Sequence, residues 1–249
     1  MKSSAMILVR SLLPLLFAGS VLAGTVDLET EGGAVWFGRN DVRIPGDEGT
    51  EFDMTELTGE GPASSFRLYA TYAFNERHAL RLAYAPLSIE GTGTLDREVF
   101  FVASTFEKGA PVTGLYRFDT YRVTYRWTFH RSAKWRWGLG GALLVRDAEI
   151  ELKRGEIAET KENVGLVPLL HLHGAYLVNE SFSLALDALG AAAPQGRAID
   201  AALRLAYERP SGWRVFAGYR TLEGGADNDS VYTFAWLHYA VAGIGYRFR

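Results

Sequence analysis

The chain contains no cysteine among its 249 residues. Disulfide bonds, thiolate metal sites and cysteine nucleophiles are therefore excluded, and so is a lipid anchor on an amino-terminal cysteine. Proline is also scarce, with 8 residues, whereas Trp, Tyr and Phe make up 13% of the chain. Disordered proteins are poor in aromatic residues, so this composition predicts a folded protein.

Long apolar runs are missing as well. Beyond residue 23 no segment of the sequence contains the roughly 18 consecutive apolar residues of a membrane-spanning helix. Residues 1–23 have the parts of a secretory signal peptide, namely the positive residues Lys2 and Arg10, a short apolar core, and small residues ending at Ala23. We therefore predict a cleaved signal peptide over residues 1–23 and one domain over residues 24–249.

Neither sign of charge dominates the sequence. The formal net charge is −3, and loss of Lys2 and Arg10 with the signal peptide lowers it to about −5. A nucleic-acid-binding protein carries a basic surface that neutralises phosphates. We therefore expect no nucleic acid among the partners.

Apolar and polar residues alternate over most of the chain. Between Tyr121 and Phe129 every second residue is apolar, and the residues between them are Arg or Thr. Successive side chains of a strand point to opposite faces, so this segment is a strand with one apolar and one polar face. The same period predicts ten strands, at residues 25–39, 64–74, 79–105, 112–129, 135–150, 164–178, 182–192, 197–207, 213–222 and 231–248.

Short turns and longer connections alternate between these segments. The turns at 75–78, 131–134, 179–181 and 209–212 are short and polar, whereas the connections at 40–63, 107–111, 151–163, 194–196 and 223–230 are mostly longer. This alternation is typical of transmembrane β-barrels, which have short turns on the periplasmic side and longer loops outside. Many aromatic residues lie near the short turns, where an aromatic girdle is expected.

The last eight residues resemble the closing strand of bacterial outer-membrane β-barrels. Ala242, Ile244, Tyr246 and Phe248 alternate with polar or small residues, and such proteins end in an aromatic residue that the barrel-insertion machinery recognises. Here Arg249 follows, so the aromatic residue is penultimate. The resemblance implies a single all-β, antiparallel transmembrane β-barrel of about ten strands, with eight or twelve as alternatives. It also implies a monomer in the outer membrane of a Gram-negative bacterium, among outer-membrane lipid and lipopolysaccharide.

A secreted barrel of the lipocalin type would show the same alternation with the opposite orientation. The charged face decides between the two, because unpaired guanidinium groups are very costly inside a small dry barrel. In the membrane orientation these residues line a basic lumen. The predicted lumen charge network comprises Arg67, Arg81, Arg122, Arg126, Arg136, Asp187, Asp200, Arg204, Arg214, Arg220 and Arg247.

The connection from Asn40 to Ala63 is rich in Asp and Glu. Part of it either folds inward as a plug or gate, where its carboxylates pair with lumen arginines, or stays solvated on the surface, as charge runs commonly do. The leading functional hypothesis is a non-enzymatic barrel, either a narrow, porin-like pore or a structural or surface-binding protein.

Two groups of residues suggest chemistry. His171 and His173 share a strand face, as some metal ligands do, but no cysteine or third histidine completes a site, so we expect neither a metal nor a cofactor. Glu223, Asp229 and His238 flank the last external loop and would be the candidates for an acid–base group.

Such a group implies an alternative function, an outer-membrane hydrolase with a protease or lipid A-modifying site at the extracellular mouth. The ten strands are similar in number to those of the omptin proteases, which place acidic and histidine groups at the outer mouth, but no omptin-like motif is present. Simple alternation places His238 on the lipid-facing side.

Overall fold

The computed structural model describes residues 24–248, so the predicted signal peptide and Arg249 lie outside the described residues. No helix within residues 24–248 is long and apolar enough to cross a membrane. The elements of this range are β1 (Thr25–Arg43), β2 (Phe52–Asp53), α1 (Thr55–Thr58), β3 (Ala63–Ala73), β4 (His78–Ala85), β5 (Ser88–Thr94), β6 (Val99–Phe101), β7 (Ser104–Phe106), β8 (Pro111–Arg131), β9 (Trp135–Arg154), β10 (Ile157–Leu177), β11 (Phe182–Ala193), β12 (Gly196–Glu208), β13 (Trp213–Asn228) and β14 (Val231–Phe248).

Ten strand positions close into an antiparallel barrel. The wall strands pair in sequence order, and β4 and β5 share one position beside β8. The barrel closes where β1 pairs with β14, from Val26 opposite Phe248 to Arg43 opposite Tyr232. The predicted ten-stranded barrel is therefore confirmed. We call the end that carries the short turns and residues 24 and 248 the periplasmic end, and the other the extracellular end.

Side-chain alternation fixes which face of each strand points outward. On β8, Tyr125 and Trp127 are 43% and 44% exposed, whereas the inward-facing Thr124 is 4% exposed. Aromatic rings near the periplasmic end pack across neighbouring strands, as Phe182 does on Tyr207, with ring centroids 4.9 Å apart. Amphipathic rings favour the lipid–water boundary. The outer surface is thus an apolar belt edged by aromatic residues.

The predicted third strand, 79–105, is divided in the structure. It ends as β4 at Ala85 and resumes as β5 at Ser88. Pro86 lies in this break, because proline cannot donate to a β-ladder. The rest of the segment forms the β6–β7 hairpin, which pairs only within itself in the described range.

The predicted connections 151–163 and 223–230 are mostly strand. β9 and β10 pair up to a two-residue turn at 155–156, where Gly155 has a φ of 58°, and β13 and β14 pair up to residues 229–230. Apolar alternation ends where a strand leaves the lipid, since both of its faces then meet water or polar groups. Backbone pairing continues beyond that point, so the apolar pattern underestimates strand length.

Candidate functional site

Charged side chains fill the periplasmic half of the barrel interior. The predicted lumen residues lie on the inward faces of their strands. Seven of the predicted arginines form ion pairs within 4.0 Å, namely Arg67, Arg81, Arg122, Arg204, Arg214, Arg220 and Arg247. Arg126 and Arg136 have no carboxylate within that distance among residues 24–248.

Glu31 lies at the centre of this network and is 1% exposed. Its carboxylate is 3.5 Å from the guanidinium of Arg220 and 3.6 Å from those of Arg67 and Arg204. The hydroxyl of Tyr69 donates a hydrogen bond to Glu31 over 3.3 Å. One carboxylate therefore holds three arginines that come from β3, β12 and β13.

Asp187 forms a second centre on β11. One of its oxygens is 3.0 Å from Nε2 of His171 and 3.2 Å from Nδ1 of His173, and the other accepts a hydrogen bond from Arg204 over 3.1 Å. The two histidines thus bind a carboxylate of the neighbouring strand. Within the described part of the chain no group of three or more His, Asp or Glu residues has a geometry that would hold a metal ion.

Asp200 provides the third centre, from β12. Arg122 and Arg220 donate to its two oxygens over 2.7 and 2.6 Å. Because Arg220 also contacts Glu31, the centres share partners and form one connected network. Within the described residues, removing Glu31 or Asp200 leaves one arginine without a carboxylate, Arg67 or Arg122 respectively, and weakens the neighbouring pairs.

Sequence reasoning missed most of the acids of this network. Asp27 and Glu29 on β1 bind Arg214, with nearest distances of 2.5 and 3.3 Å, and Glu208 on β12 binds Arg247 at 2.5 Å. The signal was available, because residues 27–31 place an acid at every second position, namely Asp27, Glu29 and Glu31. Those acids alternate with Val26, Leu28 and Thr30, so period two assigns them to the lumen.

The space left between these side chains is small. A cavity of about 20 Å³ lies between Arg122, His171 and Asp187. That volume holds roughly one water molecule. The network therefore fills the periplasmic half of the lumen rather than lining a wide channel.

Apolar side chains fill the extracellular half. The segments 44–62 and 95–110, which we call the plug segments, fold back into the barrel mouth and are joined by a hydrogen bond from the amide of Val102 to the carbonyl of Ile44. Phe101 and Met54 from these segments are fully buried, as are Leu152 and Leu237 from the wall. The extracellular half is thus closed by a hydrophobic core.

The acids of the 40–63 connection do not reach the lumen arginines. Asp41 binds Arg39, and Glu51 is 3.6 Å from Arg43, both at the barrel rim. The carboxylate of Glu56 accepts a hydrogen bond from the amide of Asp96. The connection does fold inward, but Ile44, Phe52, Met54 and Leu57 fill the mouth instead of its carboxylates.

The three candidate acid–base residues each have different surroundings in the described range. Nδ1 of His238 is 2.5 Å from the hydroxyl of the outward-facing Tyr219. Glu223 binds Arg197 at 2.7 Å, and Asp229 lies in the turn between β13 and β14. Within residues 24–248 these three side chains share no hydrogen bond.

The fold is similar to that of solved bacterial membrane proteins. No family model matches the sequence, and no curated protein sequence matches it. The outer-membrane protease OmpT of Escherichia coli superposes with a TM-score of 0.61 at 10% identity, over 90% of this chain and 97% of OmpT. The attachment invasion locus protein Ail of Yersinia pestis gives a TM-score of 0.42 at 12% identity, over 90% and 99% of the two chains. The toluene transporter TodX of Pseudomonas putida gives 0.35 at 11% identity, over 94% and 91%.

At these identities the similarity to OmpT shows a shared fold and no shared activity. The outward apolar belt and its aromatic edge supply the physical reason for membrane insertion, since a surface of this kind is stable in lipid. The chain has the fold of the bacterial outer-membrane β-barrel proteins, and its belt places it in that membrane.

Proposed function

We propose that the protein is a non-enzymatic barrel without an open channel, which acts as a structural or surface-binding protein of the outer membrane. The observation that supports this proposal is that both halves of the lumen are filled. The charge network occupies the periplasmic half, and the plug segments occupy the extracellular half. A diffusion pore needs a continuous aqueous path, and within residues 24–248 neither half provides one.

The outer rim offers a surface for lipid headgroups. The guanidinium groups of Arg39 and Arg197 lie 5.6 and 5.1 Å from the ring centre of Phe234, and that of Arg43 lies 4.7 Å from the ring of Tyr232. Guanidinium groups bind phosphate oxygens well. Each of these arginines also pairs with a carboxylate, namely Asp41, Glu51 or Glu223. The proposal therefore includes lipopolysaccharide phosphate as a partner that competes with these carboxylates at the rim, around a monomeric barrel inserted through its closing strand.

Planar-bilayer recordings test the absence of a channel. The purified full chain is expected to give no stable current steps in concentrated KCl, because both the charge network and the plug segments block the lumen. A variant that lacks residues 46–60 is also expected to stay closed, since it keeps the charge network. Stable steps from the unmodified protein would overturn the proposal.

Assays of protease and lipid A modification distinguish the hydrolase alternative. The expected result is no activity above that of a heat-unfolded sample, because His238 is bonded to Tyr219 on the outer face. Activity of the folded protein that disappears in His238→Ala and Asp229→Ala would contradict the non-enzymatic proposal.

A further inference from the structure

The barrel wall parts between β10 and β11. β10 pairs with β9 along its length, from Tyr176 opposite Trp135 to Ile157 opposite Arg154. It pairs with β11 only as far as Leu170 opposite Gly190, although β11 continues to Ala193. Above this point, among the residues that the structure describes, the two strands have no ladder between them, and the wall has a notch.

The lower part of the notch faces the lipid. Among the outward-facing residues of β9, Val145 is the last apolar one toward the extracellular end, and it lies opposite Leu166 of β10. The next outward-facing residue of β9 is the charged Asp147. Leu166 and Leu170 are 65% and 79% exposed, whereas Leu172, one outward position below, is 36% exposed. This increase in exposure marks the height at which β10 loses its neighbour, and that height is within the apolar belt.

The interior behind the notch is apolar. Leu169 and Leu189 are buried there together with Ala142, and Val167 and Ala191 pack against them. Just below, the same strands carry His171 and Asp187 of the charge network. The inward lining therefore changes from charged to apolar at the height where the wall opens toward lipid.

The sequence accounts for the parting of the strands. Pro168 lies where the ladder stops and cannot donate a hydrogen bond, and strand prolines are found at sheet edges. Residues 191–193 of β11 are all alanine, and Pro194 follows, so small side chains border the notch. Unpaired backbone groups are costly in hydrocarbon. An occupant with an apolar chain would cover the apolar lining of the notch, and a hydrogen-bond acceptor on the same molecule would accept from the unpaired amides.

A second parted pair shows how such an opening is closed elsewhere. β3 pairs with β4 only as far as Leu68 opposite Tyr84, and β5 pairs with β8 alone in the described range. Here α1 packs so closely on β5 that a Cβ added at Gly91 would be 2.4 Å from the carbonyl oxygen of Leu57. The chain fills this opening itself, whereas the edges of the β10–β11 notch stay exposed.

We propose that the notch binds one acyl chain of a surrounding membrane lipid, with the acyl carbonyl near backbone amides beyond Leu170 that have no partner across the β10–β11 ladder in the described range. The notch is continuous with the lipid-facing belt, so a lipid reaches it without crossing water. The occupant is a lipid rather than a strand of another chain, because Pro168 and Lys161 lie on the free edge of β10 and both discourage strand pairing.

Cysteine pairs test whether the notch exists, in a chain that has no native cysteine. The pair Val167→Cys with Ala193→Cys would be opposite if the ladder continued, and the pair Ala175→Cys with Ala185→Cys is opposite in the ladder. We expect the second pair to form a disulfide under mild oxidation and the first to remain reduced, since a disulfide needs closely spaced Cα atoms. Disulfide formation at both pairs to the same extent would overturn the proposal.

Native mass spectrometry tests the occupant, after reconstitution in vesicles of palmitoyl-oleoyl phosphatidylethanolamine and extraction into detergent. The unmodified protein should retain one lipid, and Ala191→Trp, which fills the notch, should reduce retention by at least about tenfold, or 1.4 kcal/mol. Ala188→Trp is the control, because Ala188 faces outward on the same strand, opposite Leu172 in the ladder. Absence of lipid from the unmodified protein, or equal retention in Ala191→Trp, would contradict the proposal.

Discussion

The two halves of the barrel interior are built from the same alternating strands but are filled by opposite chemistry. In the periplasmic half, inward-facing arginines and carboxylates meet across the lumen, with Glu31 in contact with Arg67, Arg204 and Arg220. In the extracellular half, the plug segments return between the strands, and the buried residues are apolar apart from Asn40. Strand alternation therefore decides only which side chains face inward. What fills the interior depends on which side chains and loop segments meet at the barrel axis.

The halves should also differ in how they respond to damage. A buried ion network adds little net stability compared with apolar packing, but removal of one partner leaves uncompensated charges and is strongly destabilising. A hydrophobic core loses stability in proportion to the atoms removed and the cavity left. Substitutions in the network should therefore have the larger and more global effects.

Glu31→Gln should have the largest effect. Arg67 would lose its one carboxylate partner in the described range, whereas Arg204 and Arg220 would keep Asp187 and Asp200. Because an uncompensated buried charge is strongly destabilising, we expect the free energy of unfolding to fall by about 3–5 kcal/mol. Urea unfolding in lipid vesicles, followed by tryptophan fluorescence, measures this change. A loss below about 1 kcal/mol, the size typical of a surface pair, would show that water penetrates the network.

Leu152→Ala tests the extracellular half. Leu152 is fully buried on β9 beside the plug segments, and truncation of a buried leucine costs about 2–5 kcal/mol. Because the plug segments come from loops, we expect the loss to appear first as faster proteolytic cleavage within residues 44–62 and 95–110, while the heat-modifiable mobility of the barrel is kept. If resistance to proteolysis and heat-modifiable mobility were lost together, the two halves would unfold as one unit.

Glu51→Gln should have the smallest effect and serves as the control for Glu31→Gln. Glu51 is 3.6 Å from Arg43 and is largely exposed, and exposed pairs contribute about 0.2–1 kcal/mol. The same unfolding measurement should give a change in that range, which high salt removes. An effect as large as that of Glu31→Gln would erase the difference between buried and exposed charge on which the comparison depends.

Much of the barrel could be predicted from the sequence, because alternation is a local property. The face of Tyr125 and of Arg126 follows from period two, without knowledge of any neighbour. The interior filling could not be predicted in the same way. Which carboxylate meets Arg220 depends on contacts across the barrel, and the burial of Phe101 depends on two loops that pack against each other.

Alternation failed to predict the barrel wall in two kinds of place, where a strand extends beyond the lipid and where a strand loses its neighbour. The β9–β10 hairpin extends to Arg154 and Ile157 after the apolar pattern has ended. Pro86 and Pro168 cannot donate to a ladder, but the openings beside them follow only from the pairing of whole strands. The His171–Asp187 contact likewise required the register of β10 and β11.

Thiol labelling at two adjacent positions tests the central claim that the lumen is filled and that apolar residues face lipid. Ala202, 1% exposed, points into the lumen opposite Arg220, whereas Ala201 points outward. In the folded barrel, Ala202→Cys should resist a water-soluble maleimide and react only after unfolding, and Ala201→Cys should react only with a membrane-soluble maleimide. Rapid reaction of Ala202→Cys with the water-soluble reagent in the folded protein would show an open aqueous lumen and contradict the account.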